Sequence, residues 1–254
     1  MTTVRVERDG RTLVITLDRP QARNAIDLAM ALEVAAALDE LDADPGLTIG
    51  VLTGAGGTFS SGMDLKAFLA TGDRPEVEGR GLAGLTLTPP AEPLIAAVEG
   101  YALAGGCELA LACDLVVAAD DALFGLPEVT RGLIAGSGGL LRLPRRIPPA
   151  IAMEHALTGE PLAAVDAHRW GLVNRLTPPG GALGEALRLA ATIAANGPVA
   201  VRATKRLVAG ATDSTSGGAW ERQNAVLAEV LASADAAEWA AAFVQKRPPV
   251  WVGE

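Results

Sequence analysis

Near the start of the chain, the hydrophobic positions first follow the period of a strand and then that of a helix. Residues 4–7 alternate, Asp9-Gly10 predicts a tight hairpin turn, and residues 13–17 continue as a second strand. Residues 28–41 have helical apolar spacing, and Asp27 precedes them as an N-cap. This pattern predicts a β-hairpin followed by an amphipathic helix.

Two later segments each combine an apolar strand, a glycine-rich turn and a helix. The predicted strands are 47–53 and 94–98, the turns 54–62 and 100–106, and the helices 64–69 and 107–112. The first N–H groups of a helix have no intrahelical acceptor and carry partial positive charge. Each turn therefore predicts a site for an anion or an oxyanion.

The rest of the chain changes from strands to helices. Glycines and prolines interrupt residues 71–90, which predicts a mobile loop with at most a short helix, either a lid or a surface excursion. The later predicted strands are 115–118 and 172–176; a helix opens at 136–139, and further helices span 151–158, 163–170, 182–195, 199–209, 220–232 and 236–243. We predict an α/β catalytic core at 1–197 and a helical oligomerisation region at 198–254.

Composition excludes several classes of protein. The chain has 254 residues and a formal net charge of −9 without a block of Lys or Arg, which argues against nucleic acid or an anionic membrane as partner. No apolar run reaches the ~20 residues of a spanning helix, and the N-terminus lacks a secretory pattern. Cys107 and Cys113 fall on different faces of one predicted helix, which favours buried thiols, no metal site and a reducing cytoplasm.

Two carboxylates fall in the central region. Glu108 lies in the first turn of the predicted helix 107–112, and because helical side chains lean toward the N-terminus, its carboxylate is expected near the Gly105 amide. Glu128 follows in the turn 124–128. Either acid alone is explained by the helix dipole or by surface exposure. Together, beside a backbone oxyanion donor, they predict proton transfer next to a carbonyl group.

Four segments carry a resemblance that covers nearly the whole chain. They read RPQARNA at 19–25, FSSGMDL at 59–65, GYALAGGCE at 100–108 and FVQKR at 243–247. In this order and spacing they resemble the enoyl-CoA hydratase/isomerase (crotonase) family. The resemblance implies a spiral of ββα units with C-terminal helices that form a homotrimer, or a dimer of trimers. It also implies an acyl-CoA thioester substrate and no cofactor beyond the coenzyme A that the substrate carries.

The resemblance also implies roles for particular residues. Ser61 and Gly105 match the positions whose amides form the oxyanion hole, and Glu108 and Glu128 match the glutamates that hold the reacting water in hydratases. The expected substrate contacts are Arg23, Ala25, Ser61, Gly62, Met63, Asp64, Leu65, Gly105, Pro127, Phe243 and Lys246. Further cations available for the coenzyme A phosphates are Lys66 and Arg247.

The implied reaction is hydration of a 2-enoyl-CoA. One glutamate accepts a proton from water as hydroxide adds at the β-carbon, and the other supplies a proton at the α-carbon, so one carboxyl is ionised and one is protonated. Glu108 lies nearer a helix N-terminus and is the expected anion, which leaves Glu128 as the acid. Ala104, Ser61 and the segment 134–141 depart from common family residues, and the last departure bears on acyl specificity.

Three alternatives stay open at this point. An enoyl-CoA isomerase works with a single acid at the Glu128 position. Ser137 in a glycine-rich turn, with His155 and His168 elsewhere, suggests a serine hydrolase, although the first glycine of a nucleophile elbow is missing. A non-catalytic acyl-CoA-binding protein is the third, because a fold persists without its activity.

Overall fold

The structure is a computed structural model that describes residues 2–211 and 218–253. Its strands are β1 (Val4–Asp9), β2 (Thr12–Leu17), β3 (Ile49–Gly54), β4 (Glu76–Val77), β5 (Gly81–Leu82), β6 (Leu94–Val98), β7 (Tyr101–Leu103), β8 (Leu115–Ala119), β9 (Leu123–Gly125), β10 (Leu162–Ala163) and β11 (Arg175–Thr177). Its helices are α1 (Leu28–Ala43), α2 (Leu65–Thr71), α3 (Gly105–Ala112), α4 (Gly139–Arg146), α5 (Pro149–Thr158), α6 (Ala164–Arg169), α7 (Ala182–Ala194), α8 (Pro198–Gly210), α9 (Ala219–Leu231) and α10 (Ala234–Gln245).

A six-stranded sheet in the order β1-β2-β3-β6-β8-β11 supports the molecule. The predicted hairpin is confirmed, because β1 pairs antiparallel with β2 and places Val4 opposite Leu17. The other neighbouring strands pair in parallel. Asp27 caps α1 as predicted, since its carboxylate accepts a hydrogen bond of 2.9 Å from the Met30 N–H.

A strand, a second short strand and a helix recur along the chain, which confirms the α/β fold of ββα units. In two units the second strand belongs to a small sheet of β7, β9 and β10, so that β6 leads to β7 and α3, and β8 leads to β9 and α4. In a third, β3 leads to Ser60, which bridges Ala102 in β7, and then to α2. The sequence pattern missed β7 and β9 because three residues are too few to show a period.

Apolar side chains cover both faces of the large sheet. The larger cluster joins α1, α3 and the small sheet, with Phe59, Phe124 and Met30 among its fully buried members. On the opposite face, Ala182, Ala186 and Ala190 of α7 are fully buried against β3, β6 and β8. Their small side chains bring the helix close to the sheet and exclude water from the apolar surface, which is the main stabilising term.

Residues 71–90 differ from the predicted mobile loop. The chain forms a two-stranded hairpin of β4 and β5, and Leu82, Ala83, Leu85 and Thr86 are at most 4% exposed. The frequent glycines suggested disorder, but they turn the chain so that these side chains reach the core. The late strand is also displaced, because Leu172 and Val173 are core residues that precede β11.

The predicted C-terminal helices are confirmed as α8, α9 and α10, while residues 212–217 lie outside the described part of the chain. Lys205 fastens α8 to the core through a 2.7 Å ion pair with Asp114, and Arg202 forms a 2.8 Å pair with Glu92. The domain boundary at 197 and the trimer stay predictions. Within residues 2–211 and 218–253, the helices are too short or too polar to span a membrane.

Candidate active site

The N-terminus of α3 and the segment before α2 meet at the centre of the site. Gly105 is the first residue of α3, so its N–H precedes the helical hydrogen-bond ladder. Gly62 lies against it, since a Cβ built on Gly62 would come within 2.8 Å of the Gly105 nitrogen. Glycine at 62 therefore allows the two backbones to approach, and its φ of +89° also favours glycine.

The amide that faces Gly105 belongs to Met63 rather than to Ser61. The Ser61 N–H donates a 3.0 Å hydrogen bond to the Arg23 carbonyl, so the prediction of Ser61 as oxyanion donor is wrong. The Met63 N–H, by contrast, donates to none of the residues that the structure describes. A Cβ on Gly105 would lie 3.6 Å from the Met63 nitrogen. Met63 and Gly105 thus provide two adjacent backbone donors of the kind that stabilise an oxyanion.

Asn24 and Ser60, both fully buried, hold the Met63 segment in place. The Asn24 side-chain amide donates to the carbonyls of Ala55 and Thr58 at 2.9 and 2.8 Å. The Ser60 hydroxyl donates to the Asn24 carbonyl at 2.8 Å and accepts from the Gly62 N–H at 3.1 Å. These contacts fix the turn that presents the Met63 amide.

Asp64 supports the same segment from inside the protein. Its carboxylate caps α2 by accepting from the N–H groups of Lys66 and Ala67, and it pairs with Arg19 at 2.9 Å. The Ala67 hydrogen bond is the main reason that the Asp64 pKa is lowered, and the Arg19 charge adds to it. The Asp64 carboxylate, predicted to contact substrate, is therefore occupied by structural partners. Arg19 also pairs with Asp27 at 2.9 Å and thus links the N-caps of α1 and α2. The sequence did not predict this positioning role of Arg19.

The Glu108 side chain points to the turn at 136–139 and not to the predicted turn at Gly105. Its Oε1 accepts hydrogen bonds from the N–H groups of Ser137 at 2.7 Å and Gly139 at 2.9 Å, so the expectation that it lies at the Gly105 amide is wrong. Burial raises the pKa of Glu108, the two N–H donors oppose this effect, and the charge of Glu128 adds to it. The residue is 3% exposed. Glu108 is a buried acid whose anion has two backbone donors.

Glu128 lies in a 3₁₀ turn, Pro127–Arg131, beside the core. Its Oε2 is buried and has no hydrogen-bond partner among the described residues. Burial raises its pKa, while its own backbone N–H and Arg131 lower it. An unpartnered buried oxygen favours the protonated carboxyl, whereas two N–H donors favour the Glu108 anion. This contrast supports the predicted division into a base and an acid.

Ala104 is strained directly before the oxyanion donor. It precedes α3 with φ 51° and ψ −128°, a region in which residues with a side chain are rare. Such strain costs on the order of 1–3 kcal/mol and is common at functional sites. The departure at Ala104 from the common family residue therefore has a structural cost.

Replacing Ala104 with Gly is expected to stabilise the protein. Relief of the strain exceeds the ~0.5–1 kcal/mol entropic cost of glycine, which leaves a net gain of about 1 kcal/mol and a rise in Tm of about 2 °C. Thermal unfolding followed by circular dichroism measures the change. The matched control is Ala102→Gly in β7, which has no positive φ and should destabilise. Equal losses in both variants would show that Ala104 is not strained.

The predicted coenzyme A contacts fall into two groups. Arg23 and Lys66 are exposed on either side of the Met63 segment and form no ion pair with the described residues. Phe243 and Lys246 lie in the C-terminal region, where Phe243 is 72% exposed and stacks on Trp239. Of the remaining predicted contacts, Ala25 and Leu65 flank the Met63 segment, and Pro127 directly precedes Glu128. Arg247 forms an ion pair with Glu238. The structure thus brings the first group to the site, and the roles of all these residues stay predictions.

The geometry does not support the serine hydrolase alternative, because among the described residues no hydrogen bond joins the Ser137 hydroxyl to His155 or His168. The Ser137 N–H serves Glu108, and the ring nitrogens of His155 and His168 bond to the carbonyls of Glu160 and Val173. Burial raises the pKa of the Cys107 thiol to about 12, so it is neutral and inert. No group of three or more potential metal-ligating side chains is found in the described residues.

The comparisons with known proteins all indicate one protein family. The family model of enoyl-CoA hydratase/isomerase matches residues 7–254. The chain is 43% identical over 258 residues to a carnitinyl-CoA dehydratase of Salmonella arizonae, covering 98% of each. A crystal structure of an enoyl-CoA hydratase from Mycobacterium marinum is 57% identical, with a TM-score of 0.97 and 100% coverage of both chains. That of a carnitinyl-CoA hydratase from Mycobacterium avium is 45% identical, with a TM-score of 0.79, covering 99% of this chain and 98% of that one.

Proposed function

Because the chain belongs to the enoyl-CoA hydratase/isomerase family, we propose that it adds water reversibly to a 2-enoyl-CoA thioester. At the coarser level it is a crotonase-family hydratase or dehydratase that acts on acyl-CoA thioesters. One observation carries the finer proposal: the buried Glu108 and the half-buried Glu128 both have raised pKa values and lie close enough for their charges to interact, and the same region holds the two backbone donors of Met63 and Gly105.

The backbone donors act on the thioester carbonyl. Its oxygen accepts hydrogen bonds from the N–H groups of Met63 and Gly105, which replace Ser61 and Gly105 as the proposed pair. When a nucleophile adds at the β-carbon, the electrons of the double bond move toward this oxygen and form an enolate. Fixed donors stabilise that charge without reorganisation and are typically the largest electrostatic contribution.

The two glutamates act on water. Glu108 accepts one proton of the water as its oxygen bonds to the β-carbon, and Glu128 donates a proton to the α-carbon as the enolate collapses. One proton is gained and one lost, so a transfer from Glu108 to Glu128 restores the starting state. Dehydration is the same path in reverse. The reaction needs no metal and no cofactor beyond the coenzyme A of the substrate.

The remaining assignments are part of the same proposal. Arg23 and Lys66, exposed and unpaired beside the oxyanion segment, provide positive charge for the coenzyme A phosphates. The C-terminal helices expose Trp220, Leu231, Trp239 and Phe243, which is consistent with a homotrimer or dimer of trimers. The oligomeric state and a cytoplasmic location stay predictions.

A substrate panel tests the function and narrows the acyl group. We expect crotonyl-CoA or a longer 2-enoyl-CoA to lose its conjugated absorbance as the 3-hydroxyacyl-CoA forms, and carnitinyl-CoA supplied in the dehydration direction tests the chemistry named for the relatives. Turnover of a 3-enoyl-CoA alone would indicate an isomerase. Tight binding of acyl-CoA by calorimetry without any turnover would instead show a non-catalytic binding protein.

A further inference from the structure

Arg142 donates hydrogen bonds to two segments that are far apart in the sequence. It lies in α4 and is half-buried. Its Nη2 donates a 2.5 Å hydrogen bond to the Thr86 carbonyl, and its Nη1 donates a longer one of 3.5 Å to the Ser137 carbonyl. The first contact reaches the segment that begins with β5 and continues past it, here called loop 81–88. The second reaches the glycine-rich turn 136–139.

Each contact leads to one half of the site. Ser137 donates its N–H to the Glu108 carboxylate at 2.7 Å, so the turn that Arg142 holds also orients the base. On the other side, the Thr86 hydroxyl accepts from the Leu82 N–H at 2.9 Å. The Leu82 side chain borders the oxyanion donor, because its Cδ2 lies 2.8 Å from where a Cβ on Gly105 would be.

Resting on the proposed function, we propose that Arg142 is a positioning residue that clamps loop 81–88 to turn 136–139. It thereby fixes the base Glu108 and the Leu82 wall of the oxyanion hole together. The planar guanidinium suits this role, since it directs two donors to two carbonyls at a fixed angle. A half-buried cation with carbonyl rather than carboxylate partners is costly, which points to a specific use of its charge.

The charge acts on Glu108. Arg142 lowers the pKa of Glu108 against the larger effects of burial and of Glu128, which raise it. The charged groups on the elements around this pair are Glu128 and Arg131 in the 3₁₀ turn and Arg145 and Arg146 in α4. Activity that depends on the Glu108 anion rises with pH through its pKa. Removing the Arg142 charge therefore raises the pKa of Glu108 and shifts the acidic limb of the kcat–pH profile to higher pH.

Three variants separate the clamp from general support of the fold. Arg142→Gln removes the charge and the two guanidinium hydrogen bonds to Thr86 and Ser137. Arg142→Lys keeps the charge but lacks the planar pair of donors. Arg146→Gln is the matched control, since Arg146 lies one turn on in α4 and donates to the carbonyls of Cys113 and Asp114 at 2.6 and 3.3 Å. The readouts are the pH profile of kcat for hydration and backbone hydrogen exchange by mass spectrometry.

For Arg142→Gln we expect kcat to fall on the order of 10–100-fold through misplaced groups. The acidic limb of its pH profile should move to higher pH, because the Glu108 anion loses one nearby positive charge. Peptides covering 81–88 and 136–139 should exchange faster. Arg142→Lys should keep the wild-type limb while loop 81–88 still exchanges faster. Arg146→Gln should lower the Tm without changing the limb or the exchange of these peptides.

Two results would overturn the proposal: unchanged exchange and limb in Arg142→Gln, or the same shift in Arg146→Gln. A wild-type protein that hydrates no enoyl-CoA would instead overturn the proposed function. Hydrogen exchange, together with the Glu108 titration followed by ¹³C NMR of labelled glutamate, would then still decide the role of Arg142, because neither readout needs turnover.

Discussion

Replacing Glu108 or Glu128 with Gln is expected to lower hydration at least ~100-fold in each case, the usual scale for one acid or base group. Glutamine preserves the size of the side chain and, at 108, an oxygen that accepts from Ser137 and Gly139. The loss therefore reports proton transfer rather than packing. The double variant should be little worse than the poorer single one, because groups that act as a unit are not additive.

Steady-state kcat on the best substrate of the panel measures these effects. Glu92→Gln is the matched control, because Glu92 is a buried glutamate whose pKa is also raised by burial, but it pairs with Arg202 away from the site. It should lower stability and leave kcat near that of the wild type. A Glu92 variant as inactive as the other two would attribute the loss to damage of the fold.

Replacing Gly105 with Pro is expected to lower kcat on the order of 10²–10³-fold by removing one oxyanion donor. Proline is tolerated at the first position of a helix, where the N–H has no intrahelical partner, so α3 should persist. The Cβ that proline adds at 105 meets the flexible end of Leu82. Circular dichroism and a thermal melt verify folding before turnover is measured.

Gly105→Ala provides the control for this variant. It introduces the same Cβ against Leu82 but keeps the N–H, and so separates crowding from the loss of the donor. We expect it to retain most of the activity that Gly105→Pro loses. If the two variants are equally impaired, or if a folded Gly105→Pro keeps wild-type turnover, the Gly105 amide is not the oxyanion donor.

The elements of the site were predictable where the signal is local. Strand 94–98, the glycines at 105 and 106 and the first-turn acid Glu108 specify a strand, a turn and a helix N-terminus through their own periodicity and backbone freedom. The family resemblance added the fold of ββα units, which local patterns did not supply. The three-residue strands β7 and β9 became visible only through their pairing with each other.

The errors concern contacts between distant segments. Whether Ser61 or Met63 offers a free amide depends on the Arg23 carbonyl, which a left-handed turn at 23 and 24 brings to Ser61. The motif around 62 does not contain that information. Likewise, the direction of the Glu108 carboxylate depends on turn 136–139, about thirty residues later, because two N–H groups of that turn donate hydrogen bonds to it.

The sequence also did not predict which residues of the irregular segments are buried. The spacing of glycines at 72–84 resembled that of a mobile loop, yet residues 82–86 pack into the core and border Gly105. Arg142 had no distinguishing feature in the sequence either. Only the positions of two carbonyl groups, from residues 86 and 137, give it a role.

The Glu108→Gln variant, assayed in two reactions, tests the two-glutamate hydration most directly. Hydration of a 2-enoyl-CoA needs both carboxyls, whereas moving a 3-enoyl double bond to position 2 needs only a proton carrier at Glu128. We predict that Glu108→Gln loses hydration at least ~100-fold while Glu128→Gln abolishes both reactions. A Glu108→Gln protein that hydrates at the wild-type rate would contradict the account.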